Sequence, residues 1–316
     1  MNSDLKKHLR NFDAILVSSW GNITYLTGYS GFSQTERECF LLIGQNKQYL
    51  VTDGRYSEAV KEQTKKFSVI NCGALNFIAK DYSDILENLR IKTIGIEENN
   101  LTVSEFKKLK KHIKNIKNVD LSKLRIIKQK DEIENIKKAC RIGDETFAYI
   151  LRELKIGISE REIADKLETF INIKGADFSF APIVAFGKNS SVPHHLSGQT
   201  KLKKNQIVLL DFGVKINNYC SDMSRTVFFG SASAEFKRTH RVVLAAQTKA
   251  IEFLKSSIIN HKSITGKQID AVARNFIKSN GYPNIIHSVG HGVGIEVHES
   301  PHLSPHSIDK IEQGMV

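Results

Sequence analysis

The chain has 316 residues, 41% of them hydrophobic, which is long for a single core and enough for two domains. That composition argues against disorder, and no apolar run approaches the length of a membrane span. The formal net charge of +12 makes nucleic acid or an anionic surface a partner class to weigh, but most of the excess is lysine spread along polar helix faces.

Strand and helix signals alternate from residue 13 to about 120, beginning with the apolar runs Ala14-Ile-Leu-Val and Ile23-Thr-Tyr-Leu. A hairpin is expected from Cys39-Phe-Leu-Leu-Ile and Gln48-Tyr-Leu-Val-Thr, joined by the polar Gly44-Gln-Asn-Lys. Helical patterns at 55–66, 76–90 and 103–117 are separated by the strand-like Ser68-Val-Ile-Asn and Thr93-Ile-Gly-Ile, so this part reads as an α/β domain. The densest basic stretch, Lys107 to Lys117, has Phe106, Leu109, Ile113 and Ile116 at helical spacing beneath its lysines. It reads as a solvated helix face; no aromatic ladder or helix-turn-helix pattern accompanies it, and nucleic acid is not an expected partner.

A connection at 121–130 leads to a second domain, giving boundaries of 1–122 and 123–316. A long helix opens at Asp131, with Ile133, Ile136, Cys140, Phe147, Ile150 and Leu154 as its apolar positions. Two capping boxes, Ser159-x-x-Glu162 and Thr265-x-x-Gln268, mark further helix starts, and another helix over 234–256 packs through Phe236, Val243, Ala250 and Leu254. Four scattered cysteines, three in apolar elements and none in a C-x-x-C pair, read as buried free thiols of a reducing compartment. The N-terminus lacks the apolar core of a signal peptide, so a cytoplasmic location is expected.

The chemistry concentrates in this second half. Asp211 ends the apolar run Ile207-Val-Leu-Leu, and Asp222 follows Tyr219-Cys-Ser. A turn at Asn217-Asn218 places Asp211 opposite Ser224 and Asp222 opposite Gly213. The two carboxylates then share a face as diagonal neighbours roughly 7 Å apart at Cβ, and Gly213 leaves room for a ligand over the sheet. Carboxylates on one buried face call for a cation. Downstream, His291 stands between Gly290 and Gly292, flanked by His287, His298 and His302, and imidazole is both a metal ligand and a proton shuttle near neutral pH. Upstream, a polar loop from Gly187 ends in His194-His195, one of which can enter the same cleft. Carboxylate and histidine without cysteine favour Mn²⁺, Co²⁺ or Zn²⁺ in a reactive rather than a structural site.

Taken in order, Asn189-Ser-Ser-Val-Pro-His194-His195, Leu210-Asp211-Phe-Gly, Ser221-Asp222-Met-Ser-Arg-Thr226 and His287-Ser-Val-Gly-His291-Gly-Val-Gly-Ile-Glu-Val-His298 resemble the motifs of the creatinase/methionine aminopeptidase superfamily, peptidase family M24. The chain is most similar to its Xaa-Pro aminopeptidases (aminopeptidase P) and Xaa-Pro dipeptidases (prolidases); Asn22-Ile-Thr-Tyr-Leu-Thr-Gly-Tyr and Leu50-Val-Thr-Asp-Gly-Arg-Tyr also match their N-terminal domain. The resemblance implies an α/β creatinase-like N-terminal domain followed by an α+β pita-bread domain, a cytoplasmic homodimer, and peptide substrates with proline at the second position. It implies two divalent metal ions, manganese first and cobalt or zinc as alternatives. Asp211 would chelate one, Asp222 would bridge both and His291 would bind the other. His194 and His298 would hydrogen-bond the scissile carbonyl, the tetrahedral intermediate or the proline end and help move the proton, with His287 supporting them.

The family pattern also calls for two glutamates, the first after a Gly-Met-Val-type turn, and the sequence stops at Gly314-Met-Val316. One of those glutamates is both a ligand and the family's general base. The corresponding expectation is a pita-bread domain incomplete at its C-terminal end, with little activity alone. The alternative is a non-catalytic pita-bread binding module or inactive fragment.

Overall fold

The run Ala14-Ile-Leu-Val is apolar at every position and forms strand β1 (Ala14–Val17), all four residues of which are buried, as a central strand covered on both faces requires. In the computed structural model, which describes residues 3–72, 86 and 89–316, the chain divides into two compact units, Met1–Arg125 and Ile126–Val316.

In the first unit β1 pairs antiparallel with β2 (Cys39–Gly44), which pairs antiparallel with β3 (Gln48–Thr52), so the expected hairpin is present. Strands β4 (Ser68–Asn71), β5 (Thr93–Ile96) and β6 (Asn115–Asn118) complete a mixed six-stranded sheet in the order β4-β3-β2-β1-β5-β6. Strand alternation divides the core between the two faces. Ile15, Val17, Leu41, Ile43 and Leu50 join one cluster, whereas Ala14, Leu16, Phe40, Leu42, Val51 and Ile94 join the other. Each large aliphatic side chain buried this way contributes about 1.5–3 kcal/mol.

Two local outcomes depend on distant partners. The run at 23–26 lies inside a helix, Trp20–Thr27, because the buried carboxylate of Glu97 accepts from the backbone N–H groups of Ser18 and Ser19 and from the Ser19 hydroxyl at the helix N-terminus. The helix expected over 103–117 ends at His112, and Asn115–Asn118 instead becomes β6, paired in parallel with β5 from Thr93↔Asn115 to Ile96↔Asn118. Sheet pairing overrides a helical apolar spacing there. The pattern at 55–66 yields the helix Ser57–Gln63, and the one at 76–90 lies largely outside the described residues.

The second unit opens with the helix Lys130–Glu153, capped by Gln129 and Glu132. Its buried stripe is Ile136, Ala139, Ile142, Thr146 and Ile150; Cys140 falls off that stripe and is exposed, contrary to the expectation of a buried thiol there, while Cys39 and Cys220 are buried and all four thiols are free. The Ser159/Glu162 box starts the helix Glu160–Ile173. Both helices pack on Val208, Leu210, Phe212, Val214 and Ile216 of the strands below.

Those strands form two three-stranded sheets, β12-β9-β8 and β11-β10-β7, where β7 is Asp177–Phe178, β8 Ile183–Phe186, β9 Gln206–Phe212, β10 Val214–Ile216, β11 Tyr219–Cys220 and β12 Met223–Phe229. The helices Ala234–Ile259 and Gly266–Ser279 pack on each other and on a hairpin of β13 (Gly290–Gly292) and β14 (Glu299–Leu303). Val243, expected in that packing, is exposed. Ala246 and Ala250 make the contact, and Val243 lines an open apolar groove of about 820 Å³ together with Leu244, Ile251, Ile277 and Ile285. Among the described residues no helix is long and apolar enough to cross a membrane.

Candidate metal centre

The two aspartates are set by one interrupted hairpin. Its turn, Asn217-Asn218, has φ of 50° and 70°, the left-handed pair a two-residue I′ turn needs and asparagine tolerates. Pairing runs Lys215↔Cys220 and Ile216↔Tyr219 beside the turn, then Phe212↔Met223 and Ser224↔Asp211 beyond it, so the expected register holds across the break. At the break Gly213 has a different role from the one expected. A Cβ there would meet Ser179 Oγ and the Ser221 carbonyl oxygen at 2.0 Å each, so the missing side chain makes room for the Ser179 hydroxyl and the Ser221 backbone and not for a ligand.

Val208, Leu210 and Phe212 of β9 point into the core, which turns Asp211 to the opposite face between Ile183 and Ser224. Ser224 Oγ donates to Asp211 Oδ1 at 2.7 Å. Burial pushes the Asp211 carboxyl above its ordinary range and the Asp222 charge adds to this, against the Ser224 bond and the His194 and His291 imidazoles. Asp222 keeps 24% of its side-chain surface in water, so the pair is less enclosed than the apolar flanking sequence implied.

His291 is presented by β13, where Gly292 is obligatory because a Cβ would meet the Ser300 carbonyl oxygen at 2.5 Å. Its Nε2 lies 3.3 Å from Asp222 Oδ2, while Nδ1 stands 3.1 Å from the Gly292 carbonyl oxygen. A carbonyl and an ionised carboxylate both only accept, so in the metal-free chain each ring nitrogen turns a proton toward an oxygen, and Nε2 is the nitrogen whose proton a cation would displace. The His298 ring meets that of His291 edge-on with centroids 4.4 Å apart. Burial and the neighbouring His291 charge lower the His298 pKa, which keeps that imidazole neutral at pH 7.

Donor atoms of Asp222, His291 and His298 all lie within 4.8 Å of one another. The donors fit a divalent cation: burial first and then the Asp222 charge hold the Asp211 carboxyl above its ordinary range, and His291 Nε2 faces the Asp222 carboxylate. Asp211 stands one step aside on Ser224, and the His194 imidazole is close enough to act on both Asp211 and His298. His287 is not brought into this group. It is exposed and borders the apolar groove, its backbone carbonyl held by Arg274 Nη2 at 2.9 Å. His302 faces His291 across the β13/β14 ladder and is exposed.

Two supporting groups escaped the sequence reading. Glu160, whose side chain is fully buried, takes His195 Nε2 at 2.9 Å, so His195 turns inward and His194 is the member of the pair left at the site. Lys128 Nζ meets Glu299 Oε2 at 2.9 Å with both side chains almost wholly buried, and the Glu299 carboxylate fills the space a Cβ on Gly294 would need. The doublet His194-His195 and the acidic neighbour of His298 were the available signals, but only packing reveals their partners.

This fold and donor set define a metallohydrolase, and the comparisons with known proteins agree. The metallopeptidase family M24 domain matches residues 134–316 and the creatinase/prolidase N-terminal domain matches residues 6–129. The chain belongs to metallopeptidase family M24. It is 33% identical over 312 residues to an Xaa-Pro dipeptidase of Pyrococcus furiosus, a match covering 97% of this chain and 84% of that one. Among solved structures, an Xaa-Pro dipeptidase from Bacillus anthracis superposes with a TM-score of 0.86 at 30% identity, covering 98% of this chain and 86% of the other. An X-Pro aminopeptidase from Thermotoga maritima gives 0.83 at 31%, covering 99% and 88%.

Proposed function

We propose that the chain is a metal-dependent exopeptidase for Xaa-Pro bonds, at the N-terminus of peptides or in Xaa-Pro dipeptides. The observation that carries this is the convergence of Asp222, His291 and His298, with Asp211 on the neighbouring strand, in a chain whose relatives are named Xaa-Pro peptidases. Asp211, Asp222 and His291 are the residues that would hold divalent ions, manganese first and cobalt or zinc as alternatives. When bound, such ions supply Lewis acidity toward a carbonyl and bring water into a nucleophilic state near neutral pH.

The chain's own part is positioning and proton handling. His298, neutral at pH 7, can accept or donate at its ring nitrogens beside His291, and His194 stands across from it on the upstream loop. A bond to proline is a tertiary amide without an N–H, so its recognition depends on the carbonyl and the free amino end rather than on a backbone donor. A cytoplasmic homodimer is the form the family resemblance supports.

Mn²⁺ added to the purified chain should yield cleavage of Xaa-Pro dipeptides or longer Xaa-Pro peptides and none of Xaa-Ala controls. Uptake of Mn²⁺ without proline-specific cleavage would remove the substrate assignment, and absence of Mn²⁺ uptake would remove the metal centre.

A further inference from the structure

We propose that Glu160 is a positioning residue that acts through His195 to set His194 at the metal centre. The proposal rests on the reading of His194 as a site residue.

The Glu160 side chain is fully buried at the first turn of the helix Glu160–Ile173, where the helix N-terminus favours a negative charge. Its two oxygens divide the work. Oε1 accepts from Phe186 N at 2.8 Å and Asn189 Nδ2 at 2.8 Å, and Oε2 accepts from His195 Nε2 at 2.9 Å and Gly198 N at 3.1 Å. One carboxylate thereby closes the segment 186–198 at both ends. Further bonds join the same strip to the helix start, from Glu160 N to the Thr200 carbonyl and from Arg161 N to the Gly198 carbonyl.

His194 lies inside that closed segment with φ of 54°, a left-handed conformation that a residue with a Cβ keeps only when its surroundings hold it. His194 is exposed, so its position follows from the backbone on either side rather than from packing around its ring. The adjacent His195, 17% exposed, is drawn inward to Glu160, while His194, left-handed and exposed, has its imidazole near enough to act electrostatically on Asp211 and His298. Charge matters as well as shape. Burial opposes ionisation of Glu160, yet the His195, Asn189 and backbone donors outweigh it and hold the carboxyl below its ordinary range, so the latch is a charged acceptor at neutral pH.

The test uses the full chain and Mn²⁺ alone, read through paramagnetic broadening of assigned histidine imidazole signals. In the unsubstituted chain His298 and His194 should both broaden. Glu160→Gln, and independently His195→Asn, should leave His298 broadened and the thermal transition nearly in place while His194 escapes broadening; kcat on an Xaa-Pro peptide should fall roughly 10- to 100-fold with KM little changed. Adding Glu160→Gln to His194→Ala should then cost nothing further. Equal broadening of His194 with and without the latch would overturn the positioning role. If His298 stayed sharp in the unsubstituted chain, the metal-centre reading would fail first and the proposal with it. Should Glu160→Gln not fold, His195→Asn carries the same comparison, because it leaves the other three Glu160 bonds in place.

Discussion

His291 Nε2 lies 3.3 Å from Asp222 Oδ2. That contact, more than burial, sets the acid–base state of the centre: the Asp222 hydrogen bond raises the His291 pKa above an ordinary imidazole while desolvation works the other way. A histidine whose folded pKa is raised contributes stability that is fully present below its unfolded value, near 6.5, and lost as pH rises through the folded value. The raised Asp211 carboxyl acts in the same direction, since its ionisation is penalised in the fold. His298, with its lowered pKa, works the other way, so in a His298→Ala background the metal-free chain should melt higher at pH 5.5 than at pH 7.5, and Asp222→Asn should flatten the difference. With Mn²⁺ the order should reverse, because protons compete for the ligands; at a hundredfold excess over Kd the ion adds about 2.7 kcal/mol.

The separation of His287 from the cluster has its own consequence. His291→Ala should weaken Mn²⁺ binding by roughly 100-fold or more, whereas His287→Ala, at an exposed position, should leave affinity and stability within about 0.5 kcal/mol of the parent. Calorimetric titration of the two variants side by side checks this. Equal losses would place His287 back among the site residues.

Gly213 and Gly175 differ in what surrounds them. A Cβ at Gly213 would sit 2.0 Å from both Ser179 Oγ and the Ser221 carbonyl oxygen, while one at Gly175 meets nothing within 4 Å but inherits a φ of 69°. Gly213→Ala should cost about 3 kcal/mol or more by forcing the hairpin apart, and Gly175→Ala about 1–2 kcal/mol from the left-handed backbone alone. Urea unfolding gives both values, and Gly213→Ala should also lose Mn²⁺ affinity because Asp211 and Asp222 flank the break.

Lys128 and Glu299 form an ion pair 2.9 Å long with side-chain exposures of 1% and 3%. Lys128→Met strands a buried carboxylate and should cost about 3–5 kcal/mol, whereas Lys128→Met combined with Glu299→Gln should recover most of it, since Gln still accepts from the Glu296 backbone N–H. Recovery of His298 position in the double variant is the second readout, because Glu299 adjoins it in the chain.

Much of this architecture was legible beforehand where the cause is local. The Asn217-Asn218 turn chemistry placed Ser224 opposite Asp211, and the Ser159/Glu162 and Thr265/Gln268 boxes started the helices Glu160–Ile173 and Gly266–Ser279. Apolar spacing did less well at 103–117. Ile113 and Ile116 continue a helical period, yet pairing with β5 claims the segment from Asn115, and hydrogen bonds to a strand some twenty residues upstream leave no trace in that period.

The sequence by itself determined the donor types, their order and the hairpin register that puts Asp211 and Asp222 on one face, because turn geometry and strand alternation act over a few residues. Tertiary structure alone decided which histidines reach them. His298 joins His291 and Asp222, His287 is held aside through Arg274, and His195 is spent on Glu160 so that His194 remains. The reason is physical: an imidazole's role depends on the partner its ring nitrogens meet. Those partners, the Glu160 carboxylate, the Gly292 carbonyl and Asp222, are brought together by packing between segments distant in the chain.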